Sequence, residues 1–353
     1  MSDQQKTVKT SQPRMVDVVV VGGGPAGSVC GYLLKKAGVD CVIVDRATFP
    51  RDKICGGGLT YKAWRLLEHL VPDLRYDYRP VTRLRLQFDD DRASEFESEY
   101  ELRMTNRKEF DYTLLQHYRQ AAGGEVLQDA FVRYDEQPDG RLLLTFRSGL
   151  LISCRYLVAA DGAHSRVRRQ MFGEYEDNLL FIEQYTAPTG AHEIFAHFSQ
   201  DYYPGSFYKF PGPGRDVWGF MGPVTNREIF RQLMEKFGVP EGRIVGGYIP
   251  QKAVLSADSR IILIGDAGGF PNRITGEGLY DAFKTALNAQ RAIVEQRPFS
   301  ETNRQVFDKM RAQDRLLRFA NTAFCRCLFR WVIRHPRITK ALFDAKMKRE
   351  AWL

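Results

Sequence analysis

The chain has 353 residues, of which 44% are hydrophobic and 27% are charged, and this composition excludes a disordered or fibrous protein. No stretch approaches the ~20 uncharged apolar residues of a membrane span. The spacing of the six cysteines fits neither a zinc site nor a disulfide scaffold. Residues 1–14 lack the apolar core of a signal peptide. The net charge of +8 is not accompanied by a recognised nucleic-acid module, so we expect a cytoplasmic protein without bound metal or nucleic acid, preceded by a disordered tail over residues 1–14.

The first predicted element is a strand that runs into a glycine-rich turn. Residues 17–27 read DVVVVGGGPAG, in which Gly22, Gly24 and Gly27 form a G-x-G-x-x-G pattern. A helix and a second apolar strand follow, and that strand ends at Asp45, 18 residues after Gly27. In a dinucleotide-binding unit these glycines allow the turn, the approach of a pyrophosphate and close helix packing, while the acid accepts from a ribose hydroxyl. The pattern therefore predicts nucleotide binding.

The next elements are assigned from the spacing of apolar residues. Alternation over residues 80–104, around an acidic turn at 89–91, predicts a hairpin. Helical spacing returns over 107–122, and strands are predicted at 125–134, 141–147 and 156–160. Residues 178–250 are rich in aromatics, Gly and Pro, which indicates an antiparallel sheet with a short helix near 226–237. A short strand at 261–264 and a helix from Gly278 follow, and the remainder is helical.

This order predicts an α/β (α+β) fold with a discontinuous Rossmann-like domain and an inserted sheet. The nucleotide-binding domain is assigned to residues 15–80, 105–175 and 251–298, and the substrate-binding β-sheet domain to residues 81–104 and 176–250. Residues 299–353 form a basic helical C-terminal region.

Two further segments place a carboxylate beside a glycine at the end of a predicted strand. Asp161 lies in AADGAHSRVR, and Asp266 lies in IGDAGGFPNRITGEGL. Either carboxylate can accept from a ribose or ribityl hydroxyl, Asp161 only if it turns inward. The turn from Gly276 to Gly278 opens a helix whose N–H groups can face an electron-rich ring edge.

Together the three segments resemble the FAD fingerprint, the DG motif and the GD motif of the flavoprotein hydroxylase and geranylgeranyl reductase superfamily, over about residues 15–300. The resemblance implies FAD as cofactor and a fold of the glutathione-reductase/hydroxylase type. It departs from the family at Asp45, where Glu is commoner. The residues that it assigns to the cofactor are Gly22, Gly24, Pro25, Ala26, Gly27, Asp45, Arg46, Cys55, Gly56, Gly57, Arg107, Asp161, Gly265, Asp266, Gly276 and Gly278.

Two segments favour one branch of this superfamily. Residues 50–59 read PRDKICGGGL, which is similar to the P-x-x-x-x-C-G-G-G loop of geranylgeranyl reductases. Residues 203–222 resemble the Y-x-W-x-F-P-K segment of the same branch, with Phe210 and Pro211 retained. The resemblance implies that Cys55 lines the cavity beside the flavin and is the first candidate for catalysis, with Tyr208 next. The competing interpretations are that Cys55 is a small packing residue and that the aromatics are sheet core.

The branch implies hydride transfer from reduced FAD to a carbon–carbon double bond of an isoprenoid or other apolar substrate. The electrons would come from a transient donor, NAD(P)H or a ferredoxin-like protein, because no second nucleotide fingerprint is present. An FAD-dependent monooxygenase of an aromatic or lipid-like substrate and a non-enzymatic flavin-binding regulator are the alternatives. The W-x-W-x-I-P segment of tryptophan halogenases is missing, which disfavours halogenation.

The C-terminal region concentrates the positive charge. Residues 304–350 contain thirteen Lys or Arg and four acids, interleaved with aromatic and aliphatic residues. This pattern indicates either a solvated helical face packed on the body or peripheral attachment to an anionic membrane surface.

Overall fold

A computed structural model describes residues 12–174, 178–320 and 322–350. Its strands are β1 (Arg14–Val21), β2 (Cys41–Asp45), β3 (Gly58–Leu59), β4 (Arg79–Phe88), β5 (Ser94–Met104), β6 (Glu125–Gln128), β7 (Phe131–Glu136), β8 (Leu142–Phe146), β9 (Leu151–Ala159), β10 (Asn178–Thr186), β11 (Glu193–Phe198), β12 (Ser206–Pro211), β13 (Asp216–Met221), β14 (Ile244–Pro250) and β15 (Ile261–Leu263). Its helices are α1 (Pro25–Lys36), α2 (Tyr61–Leu70), α3 (Arg107–Ala121), α4 (Arg166–Phe172), α5 (Arg227–Lys236), α6 (Leu279–Val294), α7 (Phe299–Thr302), α8 (Arg304–Ala320), α9 (Ala323–Ile333) and α10 (Pro336–Glu350).

The first sheet is built around parallel strands buried on both faces. Seven of the described strands form it, in the order β6-β2-β1-β9-β8-β7, with β15 beside β9. Val18 and Val20 of β1 enter the core shared with α1, α3 and α6, whereas Val19 and Val21 enter a second core with β8 and β9. A strand covered on both faces reads as a continuous apolar run, which explains the valines that precede the glycine turn.

The second sheet is mixed. Eight of the described strands form it, in the order β14-β10-β13-β12-β11-β4-β5-β3. The hairpin predicted over 80–104 is confirmed as β4 and β5, and the predicted short helix is α5. The expectation of a purely antiparallel sheet is wrong at one pair, because β11 runs parallel to β4.

One predicted strand is divided in the structure. Residues 125–134 contain β6, which pairs with β2, and β7, which pairs with β8. Between them the Asp129 carboxylate accepts from the N–H groups of Ala130 (2.7 Å) and Ser148 (3.2 Å). This carboxylate fixes a turn that apolar alternation does not reveal.

The C-terminal helices pack on the outer strands of the second sheet. Phe329 of α9 contacts Phe88 of β4, and Phe343 of α10 contacts Phe96 of β5. Arg330 of α9 donates to Asp91 at 2.7 Å. Strand β1 begins at Arg14, which the sequence analysis assigned to the tail, and residues 1–11 lie outside the described part of the chain. Within the described residues, no helix is long and apolar enough to cross a bilayer.

Candidate active site

Two of the three glycines in the turn after β1, Gly22 and Gly27, are required by the packing of the protein itself. Gly22 has φ +109°, and a Cβ there would lie 2.3 Å from the carbonyl oxygen of Ala160. A Cβ at Gly27 would lie 1.9 Å from the carbonyl oxygen of Gly22. These two glycines therefore serve the tight turn and the close packing of helix on strand that the fingerprint predicts.

Gly24 is different, because the protein does not require a glycine there. Its φ of −73° suits any residue, and a Cβ would meet only the Nη2 atom of Arg51, at 3.2 Å. Pro25 occupies the first turn of α1, and no side chain caps this N-terminus. Unpaired N–H groups at a helix N-terminus attract a phosphate. The space in front of Gly24, next to the N–H groups of Ala26 and Gly27, thus fits a pyrophosphate.

Asp45 lies at the mouth of the same turn. Its Oδ2 accepts from the N–H of Gly23 at 2.6 Å, and its Oδ1 accepts from the N–H of Ala47 at 2.7 Å. These two bonds fix the carboxylate at the end of β2, and each oxygen retains a lone pair for a further donor. The position suits a ribose hydroxyl, and the shorter Asp in place of Glu is held by the backbone. Arg46, which follows it, is exposed.

The two other acidic motifs also lie at strand ends. The Asp161 carboxylate accepts from the N–H of Arg166 at 2.7 Å through Oδ2, whereas its Oδ1 is buried without a partner among the described residues. Burial raises the pKa of this carboxyl. A buried acceptor without a donor is what a hydroxyl of a bound cofactor would satisfy.

Asp266 follows β15 in a short turn over Gly265–Gly268. A Cβ at Gly278 would lie 3.3 Å from its Oδ1 atom, so Gly278 leaves room for this carboxylate at the N-terminus of α6. Gly276 has φ +69° and faces Met221 and Ile249 of the second sheet. The motif therefore lies where the two sheets meet.

A buried ion cluster anchors this turn to the C-terminal helix. Lys62 of α2 is 5% exposed, and its Nζ lies 3.1 Å from Glu277 Oε2 and 2.8 Å from Glu350 Oε2. Burial alone would lower the pKa of Lys62, but the two carboxylates raise it. Thr60 also donates to Glu277. Glu277, between the two glycines of the turn, is thus fixed by α2 and α10.

The loop with Cys55 contacts the segment with Phe210. A Cβ at Gly56 would lie 2.3 Å from Cδ2 of Phe210. Gly57 has φ +74°, and a Cβ there would lie 2.1 Å from the carbonyl oxygen of Thr105. The Gly57 N–H donates to Cys55 Sγ at 3.4 Å. The cysteine is therefore held next to the Phe210 segment and is partly exposed.

Arg107 lies behind this loop, at the start of α3. Its Nε and Nη2 atoms donate to the two oxygens of Asp111 at 2.7 and 3.0 Å, and Arg51 Nη2 lies 3.3 Å from the same carboxylate. Burial lowers the pKa of Arg107, but the nearby Asp111 and Cys55 raise it above its usual value. The predicted Arg107 and Cys55 thus lie near each other.

Strand alternation divides the aromatic segment between two faces. Tyr208 stacks on Phe210, with ring centroids 4.7 Å apart, on the face of Cys55. Phe207 enters the core with α5, and Lys209 is buried 3.5 Å from Asp216 Oδ2.

Sequence reasoning missed the partner of Tyr208. Glu183 of β10 is 1% exposed and accepts from the hydroxyls of Tyr208 at 3.0 Å and Tyr185 at 3.3 Å. Burial raises its pKa to about 7. The signal in the sequence is a glutamate directly after the apolar run LLFI of this strand, because a glutamate is almost never fully buried unless it is paired.

Comparison with known proteins identifies the cofactor. The family described as FAD binding domain matches residues 15–179, which confirms FAD as the cofactor. An uncharacterised protein of Methanosarcina barkeri is 27% identical over 320 residues, covering 86% of this chain and 79% of its own. The chloroplastic geranylgeranyl diphosphate reductase of Oryza sativa is 27% identical (81% and 68%), and the menaquinone reductase of Mycobacterium tuberculosis is 28% identical (74% and 72%).

Solved structures confirm the predicted fold class. A geranylgeranyl bacteriochlorophyll reductase-like protein from Thermoplasma acidophilum has a TM-score of 0.70 at 18% identity and covers 96% of this chain and 88% of its own. A probable FAD-dependent monooxygenase from Pseudomonas aeruginosa has a TM-score of 0.67 at 18% identity and covers 94% and 100%. At these identities the likeness extends to the fold alone, whereas the sequence relatives give the branch. The chain is an FAD-dependent oxidoreductase of the geranylgeranyl reductase type.

Proposed function

We propose that the protein transfers hydride from reduced FAD to a carbon–carbon double bond of an isoprenoid or other apolar substrate. The observation that carries this proposal is the direct packing of the Cys55–Gly57 loop on Phe210, beside the apolar cluster of Val81, Met104 and Ile194. The partly exposed Phe210 and Cys55 lie beside this apolar cluster, and such surroundings favour an apolar ligand. The rice relative is named as a geranylgeranyl diphosphate reductase, which supports the same substrate class.

The residues of the chain bind and orient the cofactor. The N-terminus of α1 would hold the pyrophosphate, Asp45 would hold a ribose hydroxyl, and Asp161 and Asp266 would accept from ribityl or ribose hydroxyls. The N-terminus of α6, at Gly278, would favour negative charge on the flavin ring edge. When bound, FAD supplies the hydride, and the electrons come from NAD(P)H or a ferredoxin-like donor that binds transiently.

A monooxygenase is the second candidate, because the Pseudomonas aeruginosa monooxygenase shares the fold over 94% of the chain. The test begins with the purified flavoprotein reduced under argon, which is then divided between a prenyl alkene and air. Reoxidation by the alkene with a saturated product by mass spectrometry supports the reductase. Reoxidation by air alone, with substrate-dependent oxygen consumption, supports the monooxygenase. Tight FAD without turnover by any reductant would indicate a flavin-binding regulator.

Replacement of Cys55 by Ala tests its place in the cavity. We expect FAD to remain bound and turnover to fall several-fold, because the Sγ atom that accepts from Gly57 and lies near Arg107 is lost. Steady-state rates and the flavin spectrum measure the two effects. Cys327→Ala, at an exposed position on α9, is the control. Unchanged activity in Cys55→Ala would show that this cysteine is a packing residue and not a catalytic one.

We also propose that α8 and α9 contact an anionic membrane surface from the cytoplasmic side. Phe324, Leu328 and Trp331 of α9 follow i, i+4, i+7 spacing and are 69%, 47% and 49% exposed, so they form one apolar stripe. Exposed arginines flank the stripe, among them Arg318 and Arg334. An apolar stripe between cations suits the boundary of anionic headgroups and acyl chains.

The membrane proposal predicts that Phe324→Ser, Leu328→Ser and Trp331→Ser together abolish vesicle binding. Burial of each large apolar side chain contributes roughly 1.5–3 kcal/mol, so we expect affinity to fall by about two orders of magnitude or more. Flotation with phosphatidylglycerol vesicles measures the loss, and Val132→Ser, at an exposed position on β7, is the control. Equal flotation of the triple variant and the wild type would contradict the proposal. Truncation is unsuitable, because Phe329 and Phe343 pack on the sheet.

A further inference from the structure

Three residues form a row across neighbouring strands of the second sheet. Tyr208 of β12 is paired with Gly219 of β13, and Gly219 is paired with Glu183 of β10. A Cβ at Gly219 would lie 2.2 Å from the Tyr208 ring. The missing side chain in the middle strand therefore lets the phenol cross β13 and donate to Glu183 Oε1 at 3.0 Å.

The two ends of this row differ in exposure. Glu183 is 1% exposed, whereas Tyr208 is partly exposed on the face of the sheet that carries Phe210 and faces Cys55. The row thus connects a buried carboxyl group to the wall of the proposed substrate cavity.

Within the described part of the chain, Glu183 lacks the cationic partner that usually accompanies a buried carboxylate. Its hydrogen bonds come from two phenols, and among the described residues no cation forms an ion pair with it. Lys53 and Arg215 act on it only at longer range, and Arg215 stacks 4.0 Å from the centroid of the Tyr185 ring. A buried carboxyl without an ion-pair partner favours its neutral, protonated form.

We propose that Glu183 and Tyr208 deliver the proton of the reduction, with Tyr208 as the donor to the substrate and Glu183 as the group that reprotonates it. This inference rests on the proposed function. The double bond of the substrate breaks, one carbon gains the hydride from the reduced cofactor, and the other carbon gains the phenolic proton. The tyrosinate then takes the carboxyl proton of Glu183, which solvent replaces before the next cycle.

The groups that face Glu183 set its pH dependence. Tyr185 and Tyr208 donate to it, Lys53 and Arg215 favour its ionised form, and burial outweighs them to give a pKa of about 7. Because only the protonated carboxyl can reprotonate Tyr208, turnover is expected to fall as the pH rises through about 7.

Two measurements test the relay. The first is independent of activity: carbon-13 NMR of the glutamate-labelled protein should show one carboxyl resonance that titrates near pH 7 and is missing in Glu183→Gln. The second compares pH–rate profiles. We expect Tyr208→Phe to lose turnover by roughly 10²–10⁴-fold and to keep FAD. Glu183→Gln should be slower and lose the fall in rate near pH 7. Tyr248→Phe, an exposed tyrosine of the same sheet, is the control.

A titration of Glu183 near the usual glutamate value of about 4.3 would overturn the relay, as would a Tyr208→Phe variant with wild-type turnover. If Glu183→Gln fails to fold, the Tyr208→Phe profile decides. A wild-type protein that reduces no alkene overturns the proposed function and the relay with it. An active wild type with an unaffected Tyr208→Phe variant overturns the relay alone.

Discussion

Replacement of Gly24 by Val is expected to give a folded protein that no longer retains FAD. The backbone at Gly24 has an ordinary φ of −73°, and a Cβ would meet only the flexible end of Arg51. The cost to stability should be about 1 kcal/mol, because Val is a poor N-cap residue. The side chain would, however, fill the space next to the α1 N-terminus that a pyrophosphate needs. Thermal unfolding and the ratio of flavin to protein absorbance measure the two effects.

The matched variant is Gly22→Ala, in the same turn. Its φ of +109° and the carbonyl oxygen of Ala160, 2.3 Å from the new Cβ, should destabilise the fold itself by more than about 2 kcal/mol. Loss of FAD in Gly22→Ala would therefore accompany unfolding, whereas loss in Gly24→Val would not. A fully yellow Gly24→Val protein would refute the assignment of this turn to the pyrophosphate.

Replacement of Arg107 by Met is expected to destabilise the protein by about 3–5 kcal/mol. Asp111 is fully buried, and without Arg107 its carboxylate would retain, among the residues that the structure describes, only Arg51 at 3.3 Å as a cationic partner. Removing one member of a buried pair leaves an uncompensated charge, which costs more than the pair contributes. Urea unfolding at pH 7 measures the change in the free energy of unfolding.

Two comparisons isolate the effect of the buried charge. The double variant Arg107→Met/Asp111→Leu should recover much of the loss, because no unpaired carboxylate remains. Arg133→Met, which breaks the exposed Arg133–Asp135 pair, should cost less than about 1 kcal/mol. A double variant less stable than the single one would show that Arg107 stabilises α3 by packing rather than by charge.

The cofactor half of the site could be predicted because its requirements are local. The roles of Gly22 and Gly27 depend on a turn and a helix that immediately follow β1, and Asp45 ends the next strand. These spacings are short and appear directly in the sequence. The family resemblance assigned Arg107 to the cofactor, whereas its pairing with Asp111 needed the structure.

The pairing of Glu183 with Tyr208 could not be predicted, because it depends on the register of the strands. Glu183 and Tyr208 meet only because Gly219 lies between them on a third strand, and a shift of one residue would turn either side chain to the opposite face. The division of residues 125–134 has a similar cause, since the Asp129 carboxylate acts on a segment that is distant in sequence. The pattern of apolar and polar residues within one segment does not predict contacts with a distant segment.

The cluster of Lys62, Glu277 and Glu350 has a thermodynamic consequence. It joins the last residue of α10 to the turn that we propose supports the flavin, with Lys62 lying 2.8 Å from Glu350 and 3.1 Å from Glu277. Any ligand or surface that displaces α10 must change the charge beside that turn, and therefore the affinity for the cofactor. Linkage is reciprocal: loading with FAD must change the affinity of the C-terminal helices for that partner by the same factor. The fraction of protein that holds FAD would then depend on whether α10 is bound to that partner.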